Sequence, residues 1–546
     1  MSSTISYMDE EKRLDELHRR VLRKLDWNVI PCLSFLWLAN FIDRSNIGNA
    51  RIAGLEKDLR LQGTEFNVGL AAFFIAYIVV EIPANLLLKK VKANRWLPIF
   101  TCAWGLSTLG TGFAKDFSGL VAARFFLGFC EGSLFPCMIL YMSTLYPRHK
   151  LQFRMGSFYS AGKLILDMIK SVSTHSISVA HHQVSMSGAF GGLLAAAILK
   201  MDGVGGIAGW RWIFILEGAV TVAFGMIAAI ILPADLSSAR FLSEEERMGY
   251  IRFYTRKNPH AFAFAVESTT PDEGLEKKES LETTPTDSTA IVEGPGQNDL
   301  KNTSAVEEDE VFEWREVRRG LFDFQTWVTG IVFFANIVAI YSFSLFLPTI
   351  VLQLGFEGIQ AQIHSVYPYI PSAALTAIVA FVSDRMKIRG PFVLGFMPIA
   401  MAGFIIAIVS EGTGARYAAL FLIAIGAFPC SPGIISTLAN NHSGYYKRAA
   451  SLGLQIALGN CGGIVATFVY TADQAPRYVK GNAVVLGLLA FSWFMMAWNM
   501  IYCWRENKAR AEGKREDNLT KYKLLVESGK TRAPIGDRDP AFRYTL

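Results

Sequence analysis

Long apolar runs recur along most of this 546-residue chain and constrain its fold more than any other feature. A helix that crosses a bilayer needs about 20 consecutive apolar residues, and runs of about that length follow one another here with polar connections between them. Strand-type alternation is absent, which argues against a membrane barrel. The sequence therefore predicts an all-α polytopic membrane protein. Its twelve transmembrane helices are expected at about 27–47, 65–88, 97–114, 118–141, 151–199 (interrupted), 212–232, 326–352, 364–383, 391–410, 416–437, 447–470 and 483–504.

A long polar connection after the sixth run divides the helices into two lobes of six. The predicted domains are an N-terminal arm at 1–26, a first lobe at 27–232, a linker at 233–325, a second lobe at 326–504 and a tail at 505–546. Ser243 and Glu246 near the start of the linker have the spacing of a helix capping box. The Ser/Thr/Pro/Glu-rich stretch that follows predicts a largely disordered linker.

Lysine and arginine gather beside the membrane at the two ends of the chain and in alternate connections. The positive-inside rule then places both termini, the linker and the tail in the cytoplasm, as an even number of spans requires. We expect a multi-pass protein of the plasma membrane. The basic patches are short, which argues against a nucleic-acid partner, and we expect a monomer in the lipid bilayer.

The fifth run is interrupted by a polar insert. Removing residues 162–183 joins Ala161 to Val184 and leaves one continuous apolar span. Gly162-Lys163 can be encoded with GTAAG and Gln183 by CAG, which are intron-border sequences. We interpret 162–183 as a retained intron in the gene model. If the insert is translated, the alternative is an inactive protein.

Two opposite charges lie inside the fourth run. Arg124 and Glu131 are seven residues apart, or two helical turns, so they share one face of the helix with Gly128 between them. A charge inside a membrane span is costly and usually faces a cavity or a partner. Gly128 and Gly132 also form a small-xxx-small pair, which permits close approach of another helix. The charges therefore indicate either a functional site or a structural ion pair between helices.

Several motifs agree in order and spacing with one transporter family. They are Asp43-Arg44 at the end of the first span, Arg124-x6-Glu131, Gly209-Trp-Arg-Trp-Ile-Phe-Ile-Leu-Glu-Gly218, and Asn440-Asn-His-Ser-Gly-Tyr-Tyr-Lys-Arg-Ala449. Together they resemble the major facilitator superfamily. Within it they look like the anion:cation symporters of the fungal allantoate and nicotinate permease branch.

The resemblance implies two six-helix lobes around a central site that opens alternately to each side of the membrane. It implies that Asp43, Glu131 and Arg124 serve in proton coupling and that Arg44 grips the carboxylate of the substrate. The driving force would be the proton gradient, with no other cofactor and no metal. No nucleophile, metal cluster or phosphate-binding loop is recognisable in the spans or loops of the sequence, so the chain is not expected to be an enzyme.

Other polar residues within the spans are candidates for the substrate site. Tyr77 lies one turn before Glu81, which either lines the cavity or bonds backbone groups freed by Pro83. The remaining substrate-site candidates are Asn336 and Tyr341 in the seventh span, and Gln455 and Asn460 in the eleventh. Glu217, at the start of the sixth span, is expected at a water interface.

The resemblance also implies a gate at the cytoplasmic loops. Family members carry an acid between the second and third helices, where this chain has Lys89. The second-half copy keeps Asp384 and Arg385, which we predict to be the gate element. The signature of drug/proton antiporters is missing from the fifth span, which favours uptake over efflux.

These features predict a proton-coupled importer of a small organic anion such as nicotinate, allantoate or pantothenate. A non-transporting nutrient receptor and a facilitator of a neutral solute remain the alternatives.

Overall fold

The computed structural model describes residues 2–87, 93–145, 182–233, 239–246, 313–356, 358–531, 533 and 535–546. Within these ranges the backbone is helices and their connections, and no β-strand occurs. The proposed insert at 162–183 lies outside the described residues except for its last two, which open a helix at His182.

The first half contributes seven helices to the described part. They are α1 Ser2–Ala50, α2 Glu65–Leu87, α3 Ala93–Gly112, α4 Phe117–Glu131, α5 Leu134–Leu145, α6 His182–Ile198 and α7 Gly209–Ile231. A π-helical turn, Arg51–Leu55, continues α1 and leads into the short helix Glu56–Asp58.

The second half contributes ten. They are α8 Trp314–Leu321, α9 Phe324–Gln353, α10 Gly358–Val366, α11 Tyr369–Met386, α12 Gly390–Val409, α13 Thr413–Ala427, α14 Cys430–Asn441, α15 Tyr445–Val469, α16 Val479–Ala511 and α17 Asp517–Glu527.

Eight helical segments of the described part are long and apolar enough to cross a membrane. They are Arg20–Asp58, Gly209–Ile231, Phe324–Gln353, Gly358–Ser383, Gly390–Val409, Thr413–Asn441, Tyr446–Val469 and Val479–Ala511. Helices α2 and α3 and the pair α4–α5 coincide with three of the remaining predicted runs, and α6 covers the described end of the fifth run. The helices therefore fit the predicted all-α fold of twelve spans.

Three spans are broken in the middle, at α4–α5, α10–α11 and α13–α14. Each break lies just before a proline, at Pro136, Pro371 and Pro432. Proline has no N–H for the carbonyl four residues earlier and its ring clashes with that carbonyl, so the helix kinks or ends there. A proline thus accounts for each break, although Pro83 and Pro348 lie inside helices that continue past them.

Glycines bring α2 and α4 close together, as the small-xxx-small spacing predicts. A Cβ at Gly128 would collide with the carbonyl oxygen of Phe73, and one at Gly132 with that of Tyr77. Gly105 and Gly218 make a similar contact between α3 and α7. The backbone of α2 therefore fills the space beside Gly128.

Contacts join the two halves near the end of the molecule that holds the connection between α1 and α2. The Asn67 amide donates to the carbonyl oxygens of Thr467 and Tyr470, the latter over 3.1 Å. On α1, Gly48 lies against the backbone of Leu345 on α9. The charge pattern of the sequence predicts this end to be extracellular.

The tail predicted at 505–546 is packed against the second half over its described residues. Helix α16 continues through Ala511, and the buried Arg510 donates to the carbonyl of Asp537 over 2.9 Å. Lys447, which is 2% exposed, bridges Asp323 at 2.7 Å and Asp537 at 2.9 Å. This ion-pair network holds the tail beside the start of α9.

A separate compact unit consists of Met1–Arg23 and Phe241–Val311. Its described part contains the first turns of α1 and a short helical turn. Ser243 N donates to Glu246 Oε2 over 3.0 Å, and Glu246 N donates to Ser243 Oγ over 3.2 Å. The predicted capping box is therefore confirmed.

Candidate functional site

Arg44 on α1 is the centre of a polar group buried among the helices. Its Nε donates to Glu131 Oε1 on α4 over 2.5 Å, and its Nη2 contacts the same oxygen. Its Nη1 donates to the Tyr341 hydroxyl on α9 over 2.7 Å. One guanidinium therefore joins two helices of the first half to the second half, as a planar fork of donors permits.

Aromatic rings surround the same guanidinium. Its carbon lies 5.7 Å from the ring centre of Phe41, 5.2 Å from that of Phe73 and 4.9 Å from that of Tyr77. Rings at this distance attract a cation through their electron-rich faces. Of the predicted substrate-site residues, Tyr77 and Tyr341 are thus brought to Arg44.

Arg124 does not pair with Glu131 in this structure. Its guanidinium carbon lies 5.3 Å from the ring centre of Phe214, and Nε and Nη2 have no hydrogen-bond partner among the described residues. Arg124 is nevertheless only 3% exposed. Glu131 is paired instead with Arg44 of another helix, so in this state the two charges of the fourth span have different partners.

Asp43 faces a different neighbour of α1 from the one that Arg44 faces. Its Oδ2 accepts from Trp104 Nε1 over 2.7 Å and from Thr108 Oγ1 over 2.6 Å, both on α3. Successive helical residues point about 100° apart, so the two adjacent charges reach different neighbours. Trp104 and Thr108 were not identified from the sequence, since a tryptophan and a threonine in an apolar run carry no distinctive signal.

Glu217 is buried and not at a water interface as expected. It is 8% exposed, and its Oε2 accepts from Asn46 Nδ2 over 2.9 Å. Asn49 donates to Asn46 Oδ1 over 3.1 Å and orients that amide toward Glu217. Glu217 directly precedes Gly218, where α7 packs closely against α3, and this packing places the Glu217 carboxyl inside the bundle.

The remaining substrate-site candidates form hydrogen bonds with residues other than Arg44. Asn336 Nδ2 donates to Ser431 Oγ over 2.8 Å, and Gln455 Nε2 donates to the Ile434 carbonyl over 3.4 Å, both within the second half. Asn460 instead reaches the first half, where its Nδ2 donates to Glu81 Oε2 over 3.3 Å. A second polar contact thus spans the two halves beside the Arg44 group.

The predicted gate residues lie at the end of α11. Arg385 is exposed, and its guanidinium carbon lies 5.8 Å from the ring centre of Phe381. The Asp384 side chain lies outside the described residues. No group of three or more potential metal ligands occurs in the ranges that the structure describes.

The fold and the polar group together define a class of protein: a helical membrane transporter with charged residues buried between two halves. A family model of the Major Facilitator Superfamily matches residues 33–467. The chain belongs to this superfamily.

Related proteins support the same assignment. An uncharacterized transporter of Schizosaccharomyces pombe is 31% identical over 96% of this chain and 90% of its own length. The high-affinity nicotinic acid transporter of Saccharomyces cerevisiae is 28% identical over 97% of this chain and 85% of its own length. Both relatives span nearly the whole chain.

Solved structures show the same fold at much lower identity. A D-xylose–proton symporter superimposes with a TM-score of 0.56 at 12% identity, covering 86% of this chain and 97% of its own. A bacterial homologue of the lysosomal transporter Spinster, inward-facing and occupied, also gives 0.56 at 12% identity, covering 87% and 96%.

Proposed function

We propose that this protein imports a small organic anion together with a proton, by alternating access. The observation that carries the proposal is the contact of Arg44 with Glu131 and Tyr341 at the boundary between the halves. A guanidinium offers parallel donors that suit a carboxylate, which makes Arg44 the binding group for the substrate anion.

Competition for Arg44 provides the coupling in this proposal. While Glu131 is ionised it occupies the guanidinium, and a substrate carboxylate would have to displace it. A proton on Glu131 removes the negative charge and weakens this pairing, so that Arg44 becomes free for the anion. Substrate and proton therefore load together, and the substrate leaves when Glu131 loses its proton and takes Arg44 back.

The rings around Arg44 favour a flat aromatic carboxylate. Phe41, Phe73 and Tyr77 present apolar faces next to the guanidinium, and such faces stack on a planar ring. The yeast relative is named as a nicotinic acid transporter, and nicotinate combines one carboxylate with one aromatic ring. We therefore infer that nicotinate or a similar aromatic monocarboxylate is the substrate.

Contacts at one end of the boundary support alternating access. Asn67, at the start of α2, bridges this helix to the carbonyls of Thr467 and Tyr470 at the end of α15. These bonds would have to break for the site to open toward this end. The inferred cycle therefore includes a closed state like the one described here and a state in which they are broken.

Uptake in cells that lack their own carboxylate permeases tests the proposal. Labelled nicotinate, allantoate and pantothenate would be offered at several external pH values, with and without a protonophore. We expect nicotinate to accumulate more strongly at acidic pH and the protonophore to abolish accumulation. Uptake that does not change with external pH would indicate a facilitator. Signalling without accumulation of substrate would indicate a receptor. Either result would refute proton-coupled import.

Glu131→Gln tests the assigned coupling residue. This variant cannot release a proton from position 131, so we expect it to lose accumulation driven by the pH gradient while exchanging internal for external substrate. Normal accumulation by Glu131→Gln would show that Glu131 does not couple transport to protons.

A further inference from the structure

Glu217 is a buried carboxyl that the coupling scheme above does not use. It lies on α7, whose Gly218 packs directly against the backbone of Gly105 and Leu109 on α3. This packing fixes the backbone that carries Glu217. The carboxyl therefore has a defined place in the bundle and is not a side chain free to reach water.

The hydrogen bonds of Glu217 are incomplete. Its Oε2 accepts from Asn46 Nδ2 over 2.9 Å, whereas its Oε1 has no hydrogen-bond partner among the described residues. An ionised carboxylate buried away from water needs a cation or several donors to offset its desolvation. One neutral amide stabilises an ionised carboxylate much less than the ion pair with Arg44 stabilises Glu131.

Arg124 lies close to the same group and is also incompletely bonded. It interacts electrostatically with Asp43, Glu217 and Glu131, but forms no ion pair at contact distance in the described part. Its Nε and Nη2 have no hydrogen-bond partner there, although the residue is only 3% exposed. These two donors of Arg124 are therefore available to another acceptor.

The charges of the group do not balance when every member is ionised. Asp43, Glu131 and Glu217 would carry three negative charges, and Arg44 and Arg124 two positive ones. These five charged residues, and the polar side chains described above that bond to the carboxylates, lie on helices α1, α3, α4 and α7. A net charge buried away from water is unfavourable, so a bound proton is favoured.

We propose that Glu217 is a further proton-binding residue of this transporter and holds the proton that neutralises the buried group. Asp43, Glu131 and Glu217 each have one oxygen without a hydrogen-bond partner among the described residues. Asp43 nevertheless accepts two hydrogen bonds and Glu131 has a direct cationic partner, whereas Glu217 accepts from one neutral amide, so Glu217 is the least stabilised of the three as an anion. The proton leaves Glu217 when Arg124 turns its unpartnered donors toward it. This assignment rests on the proposed proton-coupled transport for its role in the cycle.

Infrared difference spectroscopy of the purified full-length protein tests the proton directly and needs no substrate. Spectra taken at acidic and alkaline pH would be subtracted to reveal carboxylic acid groups that lose their proton. We expect Glu217→Gln to lose one such C=O stretching band that the wild type shows. Glu217→Asp should retain a band at a shifted frequency. The control Glu506→Gln removes a carboxyl that pairs with Arg515 outside the group and should leave that band in place.

A second measurement links that proton to transport, with labelled nicotinate as the probe. We expect Glu217→Gln to keep substrate exchange but to lose the dependence of accumulation on external pH. Unchanged difference spectra in Glu217→Gln, or loss of exchange together with accumulation, would overturn the inference and indicate a structural role. If the wild type shows the Glu217 band but no proton-driven uptake, the proposed function fails while Glu217 remains a proton-binding group.

Discussion

Arg44 Nε donates to Glu131 Oε1 although 87 residues separate them, and the pair joins α1 to α4 beneath a shell of aromatic rings. The same guanidinium reaches Tyr341 in the other half of the molecule. Any change in the position of one half relative to the other must therefore alter the partners of Arg44. In the proposed cycle, Arg44 therefore links substrate binding to conformational change.

Arg44→Lys is expected to reduce uptake at least about tenfold while the protein still folds. Lysine keeps the charge but offers a compact ammonium, which cannot contact Glu131 and Tyr341 with the geometry of a planar fork. Loss of one charge-assisted hydrogen bond costs about 1.5–3 kcal/mol, or tenfold and more in affinity. Initial rates of nicotinate uptake at several concentrations measure the change. Wild-type rates in Arg44→Lys would show that the forked geometry is not required.

Gly128→Ala is expected to destabilise the protein. The added methyl group would meet the carbonyl oxygen of Phe73, so α2 and α4 must separate. Overpacking of this kind costs about 1–3 kcal/mol. Thermal unfolding in detergent measures the loss.

Gly110→Ala is the matched control for that change. A Cβ there meets no atom within 4 Å, and alanine favours a helix over glycine by about 0.5–1 kcal/mol. The Tm should therefore stay the same or rise slightly. An equal loss in both variants would mean that the contact with Phe73 is not what restricts position 128.

Asn67→Ala is expected to open the contact between the halves. It removes the side-chain donor to the carbonyls of Thr467 and Tyr470, and each such bond contributes about 0.5–1.5 kcal/mol. The population of the opened state should rise several-fold. Spin labels at Gln62→Cys and Asp473→Cys, in a background with the native cysteines replaced, would report a longer distance by pulsed electron paramagnetic resonance.

The control for this experiment removes an asparagine elsewhere. Asn518 donates to the Arg538 carbonyl over 3.2 Å at an exposed site within the tail. Asn518→Ala should leave the label distances unchanged. If Asn67→Ala also leaves them unchanged, the Asn67 bonds do not hold the halves together.

Asp323→Asn is expected to lower stability at neutral pH. Burial alone would raise the pKa of Asp323, but the hydrogen bond and charge of His442, together with Lys447, hold it well below its usual range. A carboxyl with a lowered folded-state pKa stabilises the protein above its unfolded pKa of about 3.9, and this contribution is lost as the pH falls toward the folded value. The loss at pH 7 should be on the order of 2 kcal/mol.

Thermal unfolding between pH 3 and pH 7 checks both parts of that prediction. The difference in Tm between wild type and Asp323→Asn should be largest at pH 7 and should shrink below about pH 4. Asp323 caps the start of α9, accepting from Gln325 N over 2.9 Å. Asp116→Asn is the matched control, because Asp116 caps the start of α4 in the same way, accepting from Gly119 N over 2.8 Å, but at an exposed site. A difference for Asp323→Asn that stays constant across this range would exclude its ionisation as the cause.

The apolar runs alone determined the class of fold and the approximate place of the spans that the structure describes, because crossing a bilayer imposes length and composition on each helix separately. Gly128 and Gly132 indicated the close contact of α4 with a neighbouring helix, since small residues admit another backbone. Prolines such as Pro136 account for the breaks, but only the structure shows which prolines break a helix. The capping box at Ser243 was equally readable, because its two partners are three residues apart.

Only the tertiary structure decided which charges meet. Spacing along one helix indicated that Arg124 faces the side of Glu131, but it could not indicate that Arg44 from another helix occupies that carboxylate. The same limit applies to Glu217, whose burial depends on the packing of α7 against α3 and on Asn46 from α1. Position within an apolar run determines depth in the membrane, whereas the partner of a buried charge is decided by how separate helices are arranged around it.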